Sequence, residues 1–222
     1  MNSRILLTLL VSSILVAGLA GFGRGPASEA GDEAAVLRAA RLGLPSFLRD
    51  IPPSERRHFG MFKPEDISKA KPGRPFRIYT ADPEALKALL PSRPLGTLLK
   101  ETGEWFVPIL VDREWRLLMT VSKMNGVWEA VGISDASLAA EIGKFQARWP
   151  GLAAASAVPA DTEPKFLRVF QAAADFMYVE APGGEFLWPF PSGLRALNLA
   201  EGDLLPAGIA VPLLRSALME GD

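Results

Sequence analysis

His58 is the single histidine of this chain. A Ser–His–acid triad would have to use it, and a zinc site built on several imidazoles cannot form around one. It follows Arg56-Arg57. No Gly-x-Ser-x-Gly segment supplies a nucleophile elbow. Ser122-Lys123 has the residue types of a Ser–Lys pair, but adjacent strand residues point to opposite faces. The near pairs Glu65-Asp66, Glu101 with Glu104, and Asp112 with Glu114 could hydrolyse a glycoside only if held roughly 5–9 Å apart across a sugar. They fall in turns and helix starts, where solvated acids are ordinary. Glu129 alone stands inside an aromatic strand. Gly21-Phe22-Gly23-Arg24-Gly25 follows no strand and lacks the Lys-Ser/Thr ending of a phosphate loop. No catalytic residue, metal ligand or cofactor is therefore expected. The alternative is a small exported hydrolase, which would require Glu129, Asp112 or His58 to converge in one pocket.

The aromatic residues are the other chemical resource. Trp105, Phe106, Trp115, Trp128, Trp188 and Phe190 cluster in segments with β character. Aromatic side chains bury large areas, so most of these belong to a core. Trp105 and Phe106 are neighbours in a strand and must point apart. Either a second layer covers the sheet or one face presents aromatic rings to a partner. The candidate contact residues are Trp105, Trp128, Lys123, Trp188 and Phe190. Lys123 should lie against Trp128 as a cation–π pair. Trp188-Pro189-Phe190-Pro191 should leave the sheet, either as an exposed contact or as a rigid loop folded back on it.

The elements that must position these residues follow from periodicity. Asp32 can cap a helix over Glu33 to Leu44, with Pro45 as its stop. Pro64 starts a short helical turn. Phe76 to Thr80 alternates as a strand, and Asp82-Pro83-Glu84 opens a helix that Pro91 ends. Trp105 to Val111 is a strand in which Pro108 calls for an edge or a bulge. Trp115 to Met124 and Val127 to Ile133 form a hairpin around Asn125-Gly126, because both positions tolerate positive φ. That turn pairs Met124 with Val127, Lys123 with Trp128, Ser122 with Glu129 and Val121 with Ala130. Ser134 or Asp135 caps a helix over Ala136 to Trp149, closed by Pro150-Gly151. Residues 151–164 read as a connector. Phe166 to Phe170 is a strand, Asp175 to Ala181 and Glu185 to Phe190 flank a second turn at Pro182-Gly183-Gly184, and Ala210 to Glu220 is a terminal helix. This order predicts an α+β fold, a mainly antiparallel sheet with hairpins and helices on one face. One α+β domain spans 33–150, and residues 165–222 pack on the same core. In element order, the hairpin and helix of residues 115–149 resemble small exported domains of the cystatin-like or PepSY-like kind, which implies no site residues.

The N-terminus gives an address. Met1 to Arg4 is a short basic start, Ile5 to Leu19 is mostly apolar, and Ala17-Gly18-Leu19-Ala20 suits a peptidase. Residues 1–20 read as a secretory signal peptide and 21–32 as a flexible lead-in. Without residues 1–20 the net charge moves from −1 to −2, since Arg4 is the one charge removed. Such a balance gives no general attraction for nucleic acid or anionic lipid. The chain contains no cysteine, which excludes disulfides, a lipidated cysteine, thiolate zinc sites and iron–sulfur clusters. The expectation is an exported, periplasmic or extracellular, non-catalytic binding or accessory protein of the bacterial cell envelope. It would contact a protein partner or an apolar small molecule through an aromatic β face, with no nucleic acid partner and no stable membrane span once the signal is cleaved.

Overall fold

A computed structural model describes residues 26–134, 136–159, 161–200 and 203–220. The signal segment, residues 21–25 of the lead-in and the cap candidate Asp135 lie outside the described residues. The chain forms helices α1 (Pro26–Asp50), α2 (Asp66–Lys69), α3 (Pro83–Lys87), α4 (Ala136–Ala155), α5 (Pro191–Ala196) and α6 (Ala207–Glu220). The strands are β1 (Lys71–Pro72), β2 (Phe76–Ala81), β3 (Leu99–Val111), β4 (Glu114–Met124), β5 (Val127–Ile133), β6 (Lys165–Val169), β7 (Ala174–Ala181), β8 (Gly184–Pro189) and β9 (Leu205–Pro206). They make one sheet in the order β5-β4-β3-β2-β6-β7-β8-β9, with β1 beside β3. Among the described strands only β2 and β6 pair in parallel. The fold is α+β with a mainly antiparallel sheet. No described helix is long and apolar enough to cross a membrane.

The helical cover is two-sided rather than one-sided. In β3, Trp105, Val107, Ile109 and Val111 join a core with α1, whereas Phe106 joins the core built by α4. Successive strand residues face opposite ways, so α1 and α4 lie on opposite faces. On β6 and β7 the same rule puts Leu167, Phe176 and Tyr178 against α3 and α6, while Phe166 and Met177 face α4. Both neighbours Trp105 and Phe106 are thus buried, each under its own layer.

Several expected boundaries move. α1 starts at Pro26, so residues 26–32 are helix rather than flexible lead-in and Asp32 lies within it instead of capping it, and α6 starts at Ala207 rather than Ala210. α1 continues through Pro45 and α4 through Pro150. A proline removes one helical hydrogen bond, but Val36, Ala40, Leu44 and Leu48 recur every four residues on the buried face of α1. Burial of each leucine contributes about 2 kcal/mol, so packing holds the helix on both sides of the proline. In α4 the stripe Ile142, Phe145, Trp149 and Ala153 does the same, and residues 151–155 are helix rather than connector. β8 likewise includes Trp188 and Pro189, which pair with Met177 and Phe176 instead of leaving the sheet. On its other edge β8 is paired only at Phe186 and Leu187, so Pro189 interrupts no ladder there.

The hairpin around Asn125 (φ 52°) and Gly126 (φ 87°) has all four of the expected residue pairs. Pro108 sits next to a bulge at Ile109/Leu110, and its carbonyl accepts a hydrogen bond from Gly73 N (2.7 Å). Asp82 caps α3 by accepting from Ala85 N (2.9 Å).

Candidate functional site

β1 and β2 occupy one lane of the sheet alongside β3, broken at Gly73-Arg74-Pro75. Pro72 and Pro75 have no N–H to give to a ladder, so the lane cannot close across the gap. The neighbouring lane stops at the same end. β6 starts at Lys165, directly after Pro164. The result is a notch at the start of the two parallel strands. Two adjoining clefts open from it and share Arg74, Pro75, Phe76, Glu163 and Pro164. One, of about 480 Å³, lies on the α1 face against Arg77, Tyr79, Trp105 and Lys165. The other, of about 410 Å³, lies on the α4 face against Pro108, Trp115 and Trp149.

Charges line the first cleft unevenly. At the rim, Arg74 reaches Glu33 (3.3 Å) and Glu163 (3.2 Å). Arg74 and Glu163 are largely exposed and Glu33 is half-buried, and such rim pairs contribute little, about 0–1 kcal/mol. On the floor, the Arg77 side chain is 11% exposed and pairs with Glu101 at 2.6 Å. Its guanidinium lies over Trp105, 4.3 Å from the ring centre, and its Nη2 has no hydrogen-bond partner. Lys165 Nζ stands 5.6 Å from the Tyr79 ring and 5.8 Å from the Tyr178 ring.

Three of the five expected contact residues meet in one row on this face. Arg77 covers Trp105, Trp105 meets Trp128 edge-on at 6.4 Å, and Lys123 lies 5.5 Å over Trp128. Trp128 also donates to Asp32 (3.3 Å). Trp105 is buried and Trp128 half-buried, so the row presents edges rather than an open aromatic surface. Trp188 (8% exposed) and Phe190 (1%) lie on the opposite face, packed on Phe145 of α4. They are core, and Trp188-Pro189-Phe190-Pro191 is no exposed contact. The five do not form a common face. Arg77, Tyr79 and Lys165 were not among the expected contacts. Their signal was the alternation of Phe76 to Ala81, which places Arg77 and Tyr79 on the same face as the buried Ala81.

The groups required for hydrolysis do not converge. Glu129 pairs with Ser122 near one end of β4, and Asp112 precedes Glu114 at the other. The span is on the order of 25 Å at about 3.3 Å per residue. The His58 side chain is 75% exposed, 3.8 Å from Glu55. None of the three lines either cleft. Among the described residues, no three His, Cys, Asp or Glu groups are arranged to hold a metal ion.

A second polar centre sits behind the cleft. Glu185 accepts hydrogen bonds from Leu95 N, Gly96 N and the Tyr178 hydroxyl, each at 2.6 Å. Burial pushes the Tyr178 hydroxyl well above its ordinary range, reinforced by its bond to Glu185 and the charges of Glu185 and Glu180. It is a fixed donor, not a base. A β-carbon at Gly96 would overlap that hydroxyl. A smaller groove of about 120 Å³ beside α6 includes Glu185, whose oxygens are already committed.

Comparison with known proteins finds no matching family model, no matching curated protein and no matching solved structure.

Proposed function

We propose that this chain is an exported, non-catalytic binding or accessory protein of the bacterial cell envelope, periplasmic or extracellular, which holds a protein partner in the notch where β2 and β6 begin. The observation that carries the reading is the pair of clefts joined across Arg74, Pro75 and Phe76. Their lining combines ring and proline surfaces with charges of both signs, the mixture that receives an extended polypeptide. A purely apolar small molecule fits less well, because it would desolvate the charges of Arg74, Arg77, Glu163 and Lys165 and bring Lys165 no ion-pair partner. The hydrolase alternative has no support in the placement of Glu129, Asp112 and His58. The export part of the proposal rests on the sequence of residues 1–20.

The test is photo-crosslinking in intact cells, with a crosslinking residue at position 74 and, as control, at position 129. Arg74 and Glu129 are both exposed, so substitution leaves the core untouched. The reading predicts one dominant partner from position 74, none from 129, and a mature chain whose mass starts at Gly21. Equal or absent crosslinking at the two positions would contradict the binding site. A retained N-terminus would contradict the cleaved signal.

A further inference from the structure

We infer that the cleft on the α1 face receives an acidic side chain of the extended partner segment, with Lys165 as its ion-pair partner and Tyr79 and Trp105 as walls. This rests on the binding reading above.

The ground is an imbalance among the charges of the cleft. Arg74 at the rim has Glu33 and Glu163. Arg77 on the floor has Glu101. Lys165 has no carboxylate within ion-pair distance among the described residues, and its ammonium rests on the rings of Tyr79 and Tyr178. Ring contacts orient an ammonium without neutralising it. They contribute about 0.5–2 kcal/mol, against about 1.5–3 for a charge-assisted hydrogen bond. The nearby acids are otherwise engaged: Glu33, Glu101 and Glu163 on arginines, and Glu185 on Leu95, Gly96 and Tyr178. Glu180 acts on the Tyr178 hydroxyl. The buried Nη2 of Arg77, which has no hydrogen-bond partner, is a second unused donor on the floor of the same cleft.

The cleft does not end at Lys165. It shares Arg74, Pro75 and Phe76 with the second cleft. A segment that occupies both clefts crosses at these residues and extends to either side of Lys165, so the carboxylate it brings there comes from a side chain rather than a chain terminus.

The probe is a pool of acetylated, amidated ten-residue peptides with a central Glu, compared with the same pool carrying Gln, on the full chain. Retention should favour the Glu pool about tenfold, the ratio that one charge-assisted contact supports. The preference should vanish in Lys165→Gln and persist in Lys165→Arg and in Lys123→Gln, whose lysine also lies on a ring. In the unmodified protein it should fall as salt rises, a readout that needs no variant. Equal retention of the two pools, or a preference unchanged in Lys165→Gln, would overturn the inference. Crosslinking from position 74 that persists alongside equal retention overturns this inference alone. Loss of that crosslinking removes the binding reading beneath it.

Discussion

At Glu185 three donors converge on one carboxylate, whereas in the cleft at the start of β2 and β6 a lysine rests on rings and a guanidinium nitrogen has no partner. Both regions draw on β6, β7 or their neighbours, and both place charge beside Tyr178. They differ in completeness. A buried polar network whose members are all satisfied fixes one geometry and has nothing left to offer a ligand. An incomplete one costs stability unless something else completes it. The Glu185 centre therefore belongs to the fold, pinning the Leu95-Gly96 turn to β7 and β8. The notch is where the molecule leaves polar capacity unused.

The comparison is broken most severely at Glu185. Glu185→Ala strands two backbone donors and the Tyr178 hydroxyl, and should lower stability by about 3 kcal/mol or more in urea unfolding. An effect below about 1 kcal/mol would mean that the centre does not hold the fold. Gly96→Ala, which drives a methyl into the same hydroxyl, should cost about 2 kcal/mol. Tyr178→Phe added to it should recover part of that loss in a double-mutant cycle, and strict additivity would contradict the contact.

Asp66 offers a complete carboxylate elsewhere as a reference. It accepts from Lys63 N and Phe62 N, each at 2.9 Å. The Lys63 N–H above all holds its pKa below the ordinary 3.8, against burial, with help from Phe62 N–H and the charges of Arg116 and Lys63. A depressed folded pKa stabilises the protein above the unfolded value, and that contribution is lost as pH falls through the folded one. The difference in urea midpoint between the native protein and Asp66→Ala should be constant above about pH 5 and shrink below about pH 4. A difference that grows on acidification would contradict the assignment. The smallest effect belongs to the exposed Lys123 on the half-buried Trp128. Lys123→Ala should change stability by at most about 1 kcal/mol.

Much of this was legible in the sequence, and the parts that were not share a cause. The hairpin register follows from Asn125-Gly126, because a two-residue turn leaves one pairing available. The cap at Asp82 and the buried stripe of α4 are likewise local. What misled was proline. Pro45 and Pro150 suggest stops, yet burial of Leu48 and Ala153 beyond them carries each helix onward, and Pro189 ends β8 still paired with Phe176. The site was hidden for a different reason. The notch exists because β6 starts beside β2, more than eighty residues later in the chain, and no local pattern reveals a parallel pairing. Trp188 and Phe190 looked like contacts because two prolines flank them, while Lys165 looked like an ordinary residue after a connector. The opposite face of the sheet claims the first two and the cleft claims the third.

The most direct test of the difference between the two regions is crosslinking yield from position 74 measured on the same samples as the urea midpoint, for Lys165→Gln and Glu185→Gln. The account predicts that Lys165→Gln loses most of its crosslinks at an unchanged midpoint, while Glu185→Gln lowers the midpoint and, under native conditions, keeps its crosslinks. The reverse pattern, or a Lys165→Gln variant that crosslinks as well as the native protein, would contradict it.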